Sequence, residues 1–180
     1  MYLNKYIVNK LMSREDKIMS LAIEQALLST QTFRHGAVIT GKGGKIFCKG
    51  YNKGNRTKIL NNIFTCTHAE MDVVNKLING ILYPKYGKNY KKHCKKYSIW
   101  VTRIDNNTSL PNSIKKTDSK PCFYCGNLIK KLGFNKVHYS IHGNKTISCK
   151  ISALDFSHKS ECQEKAELNQ NLRLKNLCKL

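Results

Sequence analysis

The sequence has no run of about eighteen consecutive apolar residues, the length that a helix needs to cross a bilayer. The first ten residues, Met1 to Lys10, also lack an apolar segment of the length found in signal peptides. We therefore expect neither a membrane span nor secretion, and we predict a cytoplasmic protein.

Acidic side chains and arginine are both scarce. Eleven Asp and Glu residues stand against 32 Lys and Arg residues, and the formal net charge is +21. Such a charge is typical of proteins with a polyanionic partner. However, only five of the 32 basic residues are Arg, whose planar fork suits phosphate better than Lys does. An AT-rich genome would also encode this abundance of Lys, Asn, Ile and Tyr, and the sequence leaves both explanations open.

Internal repeats and linkers that would divide the chain are absent from the sequence. We predict a single domain over residues 1–180, which is long enough to bury a sizeable core. Its core spans about 13–151, and a polar helical extension with a thin apolar stripe spans about 157–178.

Apolar periodicity and turn residues predict four helices and five strands. The predicted helices span 13–29, 68–79, 122–132 and 157–177, and the predicted strands span 36–40, 45–51, 98–102, 136–140 and 146–151. Ser13 is the expected cap of the first helix, Gly80 the expected end of the second, and the segments 53–67 and 105–120 are expected loops.

This order of elements predicts an α/β fold. We expect a three-layer sandwich, in which a five-stranded mixed sheet carries helices on both faces. The connection between the last two strands is too short to hold a crossover helix, so those strands are predicted to be antiparallel.

The eight cysteines do not indicate disulfides in a chain without a secretory segment. Cys122 and Cys125 have the spacing of metal ligands. The other six share no spacing and are expected to be small buried or surface thiols. They are Cys48, Cys66, Cys94, Cys149, Cys162 and Cys178.

Two short motifs carry the chemistry of the chain. His68-Ala69-Glu70 precedes Pro121-Cys122-Phe123-Tyr124-Cys125 by about fifty residues. One imidazole and two thiolates form a ligand set that suits Zn²⁺. Three protein ligands leave the fourth position of one catalytic ion for water, and the pattern H-x-E…P-C-x-x-C is that of the zinc nucleobase deaminases.

The positions of these motifs fit such a site. Each half opens a predicted helix, and side-by-side helices would bring His68, Cys122 and Cys125 to one point. Glu70 would lie near the metal without binding it, and we predict that it is the general acid and base. The alternative is a closed structural site with Cys66 as a fourth ligand, which would block the position that water needs.

At these residues the chain resembles the cytidine/deoxycytidylate deaminase superfamily, over roughly residues 13–151. Gly36-Ala37-Val38-Ile39 resembles the family's first strand, and Gly50-Tyr51-Asn52 resembles the end of its second strand. The resemblance implies that Asn52 contacts the sugar of a substrate and that the backbone amide of Ala69 meets the carbonyl group of the base. It also implies a zinc site between two helices on a five-stranded sheet.

The resemblance is uneven in its detail. His68 as the first ligand resembles deoxycytidylate, tRNA and polynucleotide deaminases, whereas the short final hairpin resembles the free-nucleoside branch. The segment from Asp105 to Lys120 is longer than in many relatives. The insertion is similar to those of uncharacterised deaminase-like proteins of large DNA viruses and some protists, which implies a viral or protist origin and, for a virus, the host cytoplasm.

We predict hydrolytic deamination of a cytosine nucleoside or nucleotide (cytidine, deoxycytidine or dCMP) to the uracil form, with release of ammonia. The alternative is a deaminase of cytosine or adenine in single-stranded DNA, RNA or tRNA. Lys85 to Lys96 interleaves lysines with tyrosines, a composition typical of single-strand binding, although a solvated lysine run with core or surface tyrosines has the same pattern. The ligand set serves both bases, and the resemblance favours cytosine and a homo-oligomer.

Overall fold

The computed structural model describes residues 12–55, 57–59, 62–64, 66–105 and 114–160, together with residues 164 and 168. Within those residues, no helix combines the length and the apolar character that crossing a membrane requires. The predicted absence of a signal segment at Met1 to Lys10 concerns residues outside this range.

A mixed sheet forms the middle layer of the fold. In chain order the strands are β1 Arg34–Thr40, β2 Ile46–Tyr51, β3 Thr57–Ile59, β4 Asn62–Phe64, β5 Ser98–Ile104, β6 Lys116–Thr117, β7 Lys136–Ser140 and β8 Thr146–Lys150. The five long strands lie in the order β2–β1–β5–β7–β8, and β3 pairs with β4 in a separate two-stranded sheet. Strands β5 and β7 are parallel, whereas β7 and β8 are antiparallel. The predicted mixed sheet with an antiparallel final pair is therefore confirmed.

Helix α1 (Arg14–Leu27) covers one face of this sheet. The Ser13 side chain accepts a hydrogen bond from the backbone N–H of Asp16, which is the predicted cap. The helix lies so close to β1 that a Cβ atom at Gly36 would collide with the backbone of Ala22 and Ala26. Glycine at position 36 therefore permits this packing.

Helices α2 (Ala69–Leu77) and α3 (Phe123–Leu132) cover the opposite face. Their apolar sides form the larger core with alternate residues of the strands, such as Ala37 of β1 and Val101 of β5. The left-handed conformation of Gly133 ends α3. Helices on both faces confirm the three-layer sandwich.

The second helix does not end at Gly80 as predicted. The chain continues through a wider helical turn at Ile78–Leu82 and a further turn at Tyr83–Tyr86. Ile78 and Leu82 are buried, and their packing holds the helical path through the glycine despite its low helix propensity.

Two predicted loops contain short strands. The segment 53–67 includes the β3–β4 hairpin, and the segment 105–120 includes β6, which pairs with the end of β5. Strands of two or three residues are too short to give a period-two pattern. Positions 56, 60, 61, 65 and 106–113 of these segments lie outside the described residues.

The predicted C-terminal helix does not begin at Ser157. The segment 154–160 is not helical, and Phe156 within it is buried. Helical residues are described at Glu164 and Leu168, while the rest of 161–180 lies outside the described part, with Cys162 and Cys178. Phe156 is held by tertiary packing, which the polar sequence around it does not indicate.

Candidate active site and metal centre

The three predicted metal ligands meet at the N-termini of α2 and α3. His68 and Cys122 are the residues that precede each helix, and both have extended backbone conformations. Cys125 lies in the first turn of α3. The positive ends of two helix dipoles therefore face this point, where they favour thiolate ligands.

The geometry of this cluster fits one zinc ion. The His68 Nδ1 atom lies 3.5 Å from the Sγ atom of Cys122 and 3.2 Å from that of Cys125. All three ligand atoms lie within 4.8 Å of one another. Ligand atoms around a tetrahedral Zn²⁺ are about 3.6 Å apart, so the distances and the nitrogen–sulfur chemistry both suit the ion. His68, Cys122 and Cys125 are thus positioned to bind zinc, as predicted.

The ionisation of the ligands reflects their mutual contact. A hydrogen bond from Cys125 lowers the pKa of the Cys122 thiol to about 4, against the effect of burial. Burial alone would lower the pKa of His68, but Cys122, Cys66 and Glu70 raise it to about 11. Burial raises the pKa of Cys125. One thiol is therefore ionised at neutral pH, as a metal ligand must be.

Glu70 lies in the first turn of α2 and is 5% exposed. Burial raises the pKa of its carboxyl group to about 7, while the charge of His68 opposes that effect. The effect of the His68 charge places the Glu70 carboxyl group close to the ligands, although Glu70 is not a member of the ligand cluster. A carboxyl group with a pKa of about 7 can exchange a proton at neutral pH.

The Cys66 thiol, the alternative fourth ligand, is hydrogen-bonded to the ring of His68. It does not belong to the metal-binding cluster, whose described members are His68, Cys122 and Cys125. Its hydrogen bond orients the imidazole, a role that neighbouring groups commonly have at zinc sites.

Asn52 and Ala69, the predicted substrate-binding residues, have different environments. The Asn52 side chain accepts a hydrogen bond from the backbone N–H of His35 at 2.8 Å and donates one to the carbonyl oxygen of Phe33 at 2.7 Å. It therefore fixes the start of β1 and retains one further N–H. Ala69 is fully buried, and as the first residue of α2 its N–H has no partner within the helix.

A contact that the sequence did not predict holds the start of α3. The backbone N–H of Phe123 donates to the carbonyl oxygen of His158 at 2.6 Å. The Phe156 ring packs so tightly on Gly126 that a Cβ atom there would collide with it. Glycine inside a helix signals a close approach of another group, and Gly126 is the sequence feature that could have indicated this contact.

The lysine-rich segment Lys85 to Lys96 lies at the other end of the sheet. Tyr97 follows this segment, lies just before the first residue of β5 and packs edge-to-face on Phe47. His35, near the site, pairs with Arg103 close to the last residue of β5. A seven-residue strand such as β1 spans about 20 Å between these ends. Tyr90 and Tyr97 are buried, so the core-tyrosine interpretation holds for both.

Comparisons with known proteins identify the family of the chain. The family described as "Cytidine and deoxycytidylate deaminase zinc-binding region" matches residues 12–141. Among solved structures, the chain is similar to the apo form of dCMP deaminase from the cyanophage S-TIM5, with 21% identity and a TM-score of 0.46, over 74% of this chain and 88% of that one. No match is found among curated proteins. The chain belongs to the zinc-dependent cytidine and deoxycytidylate deaminase family.

Proposed function

We propose that the protein hydrolyses the exocyclic amino group of a cytosine nucleoside or nucleotide and releases ammonia and the uracil form. The observation that carries this proposal is the buried Glu70 carboxyl group beside the cluster of His68, Cys122 and Cys125. A bound zinc ion would supply a water that ionises near neutral pH.

Glu70 transfers the protons of this reaction. Its carboxylate accepts a proton from the attacking water and passes it to N3 of the cytosine ring as the new C4–O bond forms. It then takes the proton of the new C4 hydroxyl group and delivers it to the amino group, so that the C4–N bond breaks, ammonia leaves and the C4 oxygen becomes the carbonyl of the uracil form. A pKa of about 7 suits a group that must first accept and then donate.

The substrate is held by groups at the start of α2 and at the end of β2. The Ala69 N–H donates to the carbonyl oxygen of the base, because the first N–H groups of a helix lack internal acceptors. The remaining N–H of the Asn52 amide contacts the sugar. Two hydrogen bonds, one with His35 of β1 and one with Phe33 just before it, hold that amide in one orientation.

A panel of monomeric substrates tests the proposal. The protein is purified with zinc and incubated with cytidine, deoxycytidine, CMP and dCMP, and ammonia and the uracil products are measured. We expect turnover of at least one of them. If none is converted at stoichiometric enzyme, the proposed monomeric substrate is wrong.

The alternative substrate is cytosine or adenine in a polynucleotide, and six exposed lysines between Lys85 and Lys96 favour it. Their position at the end of the sheet away from His68 counts against direct delivery of a bound strand to the site. Mass spectrometry of single-stranded DNA, single-stranded RNA and tRNA after incubation would detect such an activity.

We further propose a cytoplasmic homo-oligomer of viral or protist origin. The resemblance of the sequence supports all three points, and the insertion before Pro121 supports the origin in particular. Sedimentation equilibrium of the zinc-loaded protein tests the oligomeric state, and a monomer at all concentrations would contradict it.

A further inference from the structure

Arg103 is a cation on the same face of the sheet as the metal centre. Ala37 of β1 and Val101 of β5 point into the core that contains Cys122 and Cys125. Arg103 lies two residues beyond Val101 and therefore points to the same side. It is paired in the sheet with His35, which lies two residues before Ala37.

His35 links Arg103 to the metal centre. Burial lowers the pKa of His35 to about 4, and the positive charges of Arg103 and His68 add to that lowering. His35 therefore lies within electrostatic reach of both residues. On its other side Arg103 pairs with Thr117, from which the chain runs directly to Cys122.

An aromatic ring holds the guanidinium group of Arg103 in place. This group lies 4.2 Å from the centre of the Phe33 ring, and the Phe33 side chain is exposed while that of Arg103 is partly exposed. Among the described residues no carboxylate is seen paired with Arg103, and the Asp72 carboxylate is paired with Lys53 and Lys76. A cation stacked on an aromatic ring keeps its N–H donors free at the ring edge.

We propose that Arg103 binds the 5′-phosphate of a nucleoside monophosphate and so makes the enzyme selective for nucleotides over nucleosides. This inference rests on the proposed function. Asn52, the proposed sugar contact, is hydrogen-bonded to the backbone of Phe33, whose ring carries the guanidinium. Base, sugar and phosphate would then extend from the metal centre past Asn52 to Arg103.

The type of residue supports the same assignment. Only five of the 32 basic residues in this lysine-rich chain are Arg, and one of them stands beside the site. The planar fork of Arg donates two parallel hydrogen bonds to phosphate, which Lys cannot do. Neutral nucleosides gain nothing from this group.

Steady-state kinetics with dCMP and deoxycytidine test the inference. We expect Arg103→Gln to lower kcat/KM for dCMP by about 10- to 100-fold, the usual effect of losing charge-assisted hydrogen bonds. The value for deoxycytidine should stay within about twofold. Arg14→Gln, at the exposed start of α1, is the charge-matched control and should change neither value. Equal losses for both substrates, or no loss for either, would overturn the inference while the proposed function stands.

Equilibrium binding separates the inference from the proposed function. Calorimetry with Glu70→Gln measures binding of dCMP and deoxycytidine whether or not the wild type turns over either one. We expect dCMP to bind more tightly and Arg103→Gln, added to Glu70→Gln, to remove the difference. Arg103→Lys, which keeps the charge, should give an intermediate result and replaces Arg103→Gln if that variant does not fold. Equal affinity of Glu70→Gln for the two ligands contradicts the role of Arg103.

Discussion

At the scale of single residues, burial determines what the Glu70 carboxyl group can do. An exposed glutamate is fully ionised at neutral pH, whereas Glu70 has a pKa of about 7 because it is removed from water. The sequence placed it two residues from a metal ligand, and the three-dimensional structure provides the burial that raises its pKa.

Glu70→Gln keeps the size of the side chain and removes its ability to exchange a proton. We expect kcat to fall by about 10²- to 10⁴-fold, the usual contribution of general acid–base catalysis, with one zinc ion still bound per chain. Activity assays and atomic absorption measure the two quantities. Glu24→Gln, on the exposed side of α1, is the control and should keep full activity. A Glu70→Gln variant with more than a tenth of wild-type activity would exclude this role.

His138 shows the opposite effect of burial, on a base. Its ring is stacked on Trp100 with the centroids 3.5 Å apart, and its Nδ1 atom has no hydrogen-bond partner among the described residues. Burial lowers the pKa of His138 to about 4. The folded protein therefore holds this histidine in its neutral form.

This shift predicts a loss of stability in acid. The unfolded chain takes up a proton at His138 near pH 6.5, and the folded chain does so only near pH 4. The contribution of neutral His138 to the free energy of unfolding is complete above pH 6.5 and is lost as the pH falls toward 4. At pH 5 this loss is about 1 to 2 kcal/mol. Urea unfolding measures how much the free energy of unfolding falls between pH 7.5 and pH 5. We expect this fall to be smaller in His138→Phe than in the wild type. The exposed His142→Phe is the control, and an unchanged slope in His138→Phe would refute the prediction.

At the scale of elements, the site depends on where two helices begin. His68 and Cys122 stand at the first position outside each helix, where extended backbone turns their side chains toward a common point. The sequence predicted these helices from their apolar periodicity and turn residues. It did not predict β6 or the β3–β4 hairpin, because such short strands are held by their partners.

The segment around Phe156 is an element that only packing reveals. It lies across the first turns of α3, with the Phe156 ring on Gly126 and the His158 carbonyl on the Phe123 N–H. Because α3 carries two of the metal ligands, this segment holds the helix in the position that the site needs. Polar residues on both sides of Phe156 hide its burial in the sequence.

Phe156→Ala should remove this support. We expect the free energy of unfolding to fall by about 3 kcal/mol, as for other buried aromatic residues. Tyr83→Ala, at a tyrosine that is 52% exposed, should cost far less. Gly126→Ala should destabilise the wild type by its collision with Phe156 and should cost less when combined with Phe156→Ala. Urea unfolding at fixed zinc concentration measures each variant, and additive effects would show that the two residues do not interact.

At the scale of the whole molecule, the metal centre and the lysine-rich surface lie at opposite ends of the sheet. The lysine-rich surface comprises Lys85, Lys88, Lys91, Lys92, Lys95 and Lys96, all of which are exposed. Tyr90 and Cys94 anchor it in the core, and no acidic residue occurs between Asp72 and Asp105 in the sequence. A polyanion bound to this surface would not cover the site.

Replacing these six lysines by Gln should separate polyanion binding from deamination. We expect the wild type to bind single-stranded oligonucleotides with a steep salt dependence, and the variant to bind more weakly with a smaller salt slope. Deamination of mononucleotides should be unchanged, because the surface is about 20 Å from the site end of the sheet. Fluorescence anisotropy at several salt concentrations measures the binding.

The control for this variant removes the same charge elsewhere. It replaces six other exposed lysines by Gln, namely Lys115, Lys130, Lys131, Lys136, Lys145 and Lys150. If both variants bind equally, the effect comes from net charge alone and the lysine-rich surface has no special role.

The sequence by itself determined the metal ligands, the helices that carry them and the class of reaction. These properties follow from local spacing and capping, which act within a few residues of the chain. The tertiary structure decided which distant residues join them. Sheet register places Arg103 beside His35, packing places Phe156 on α3, and the length of the strands separates the lysines from the site. Contacts between residues far apart in the chain leave no periodic pattern in a sequence, so only the folded molecule shows them.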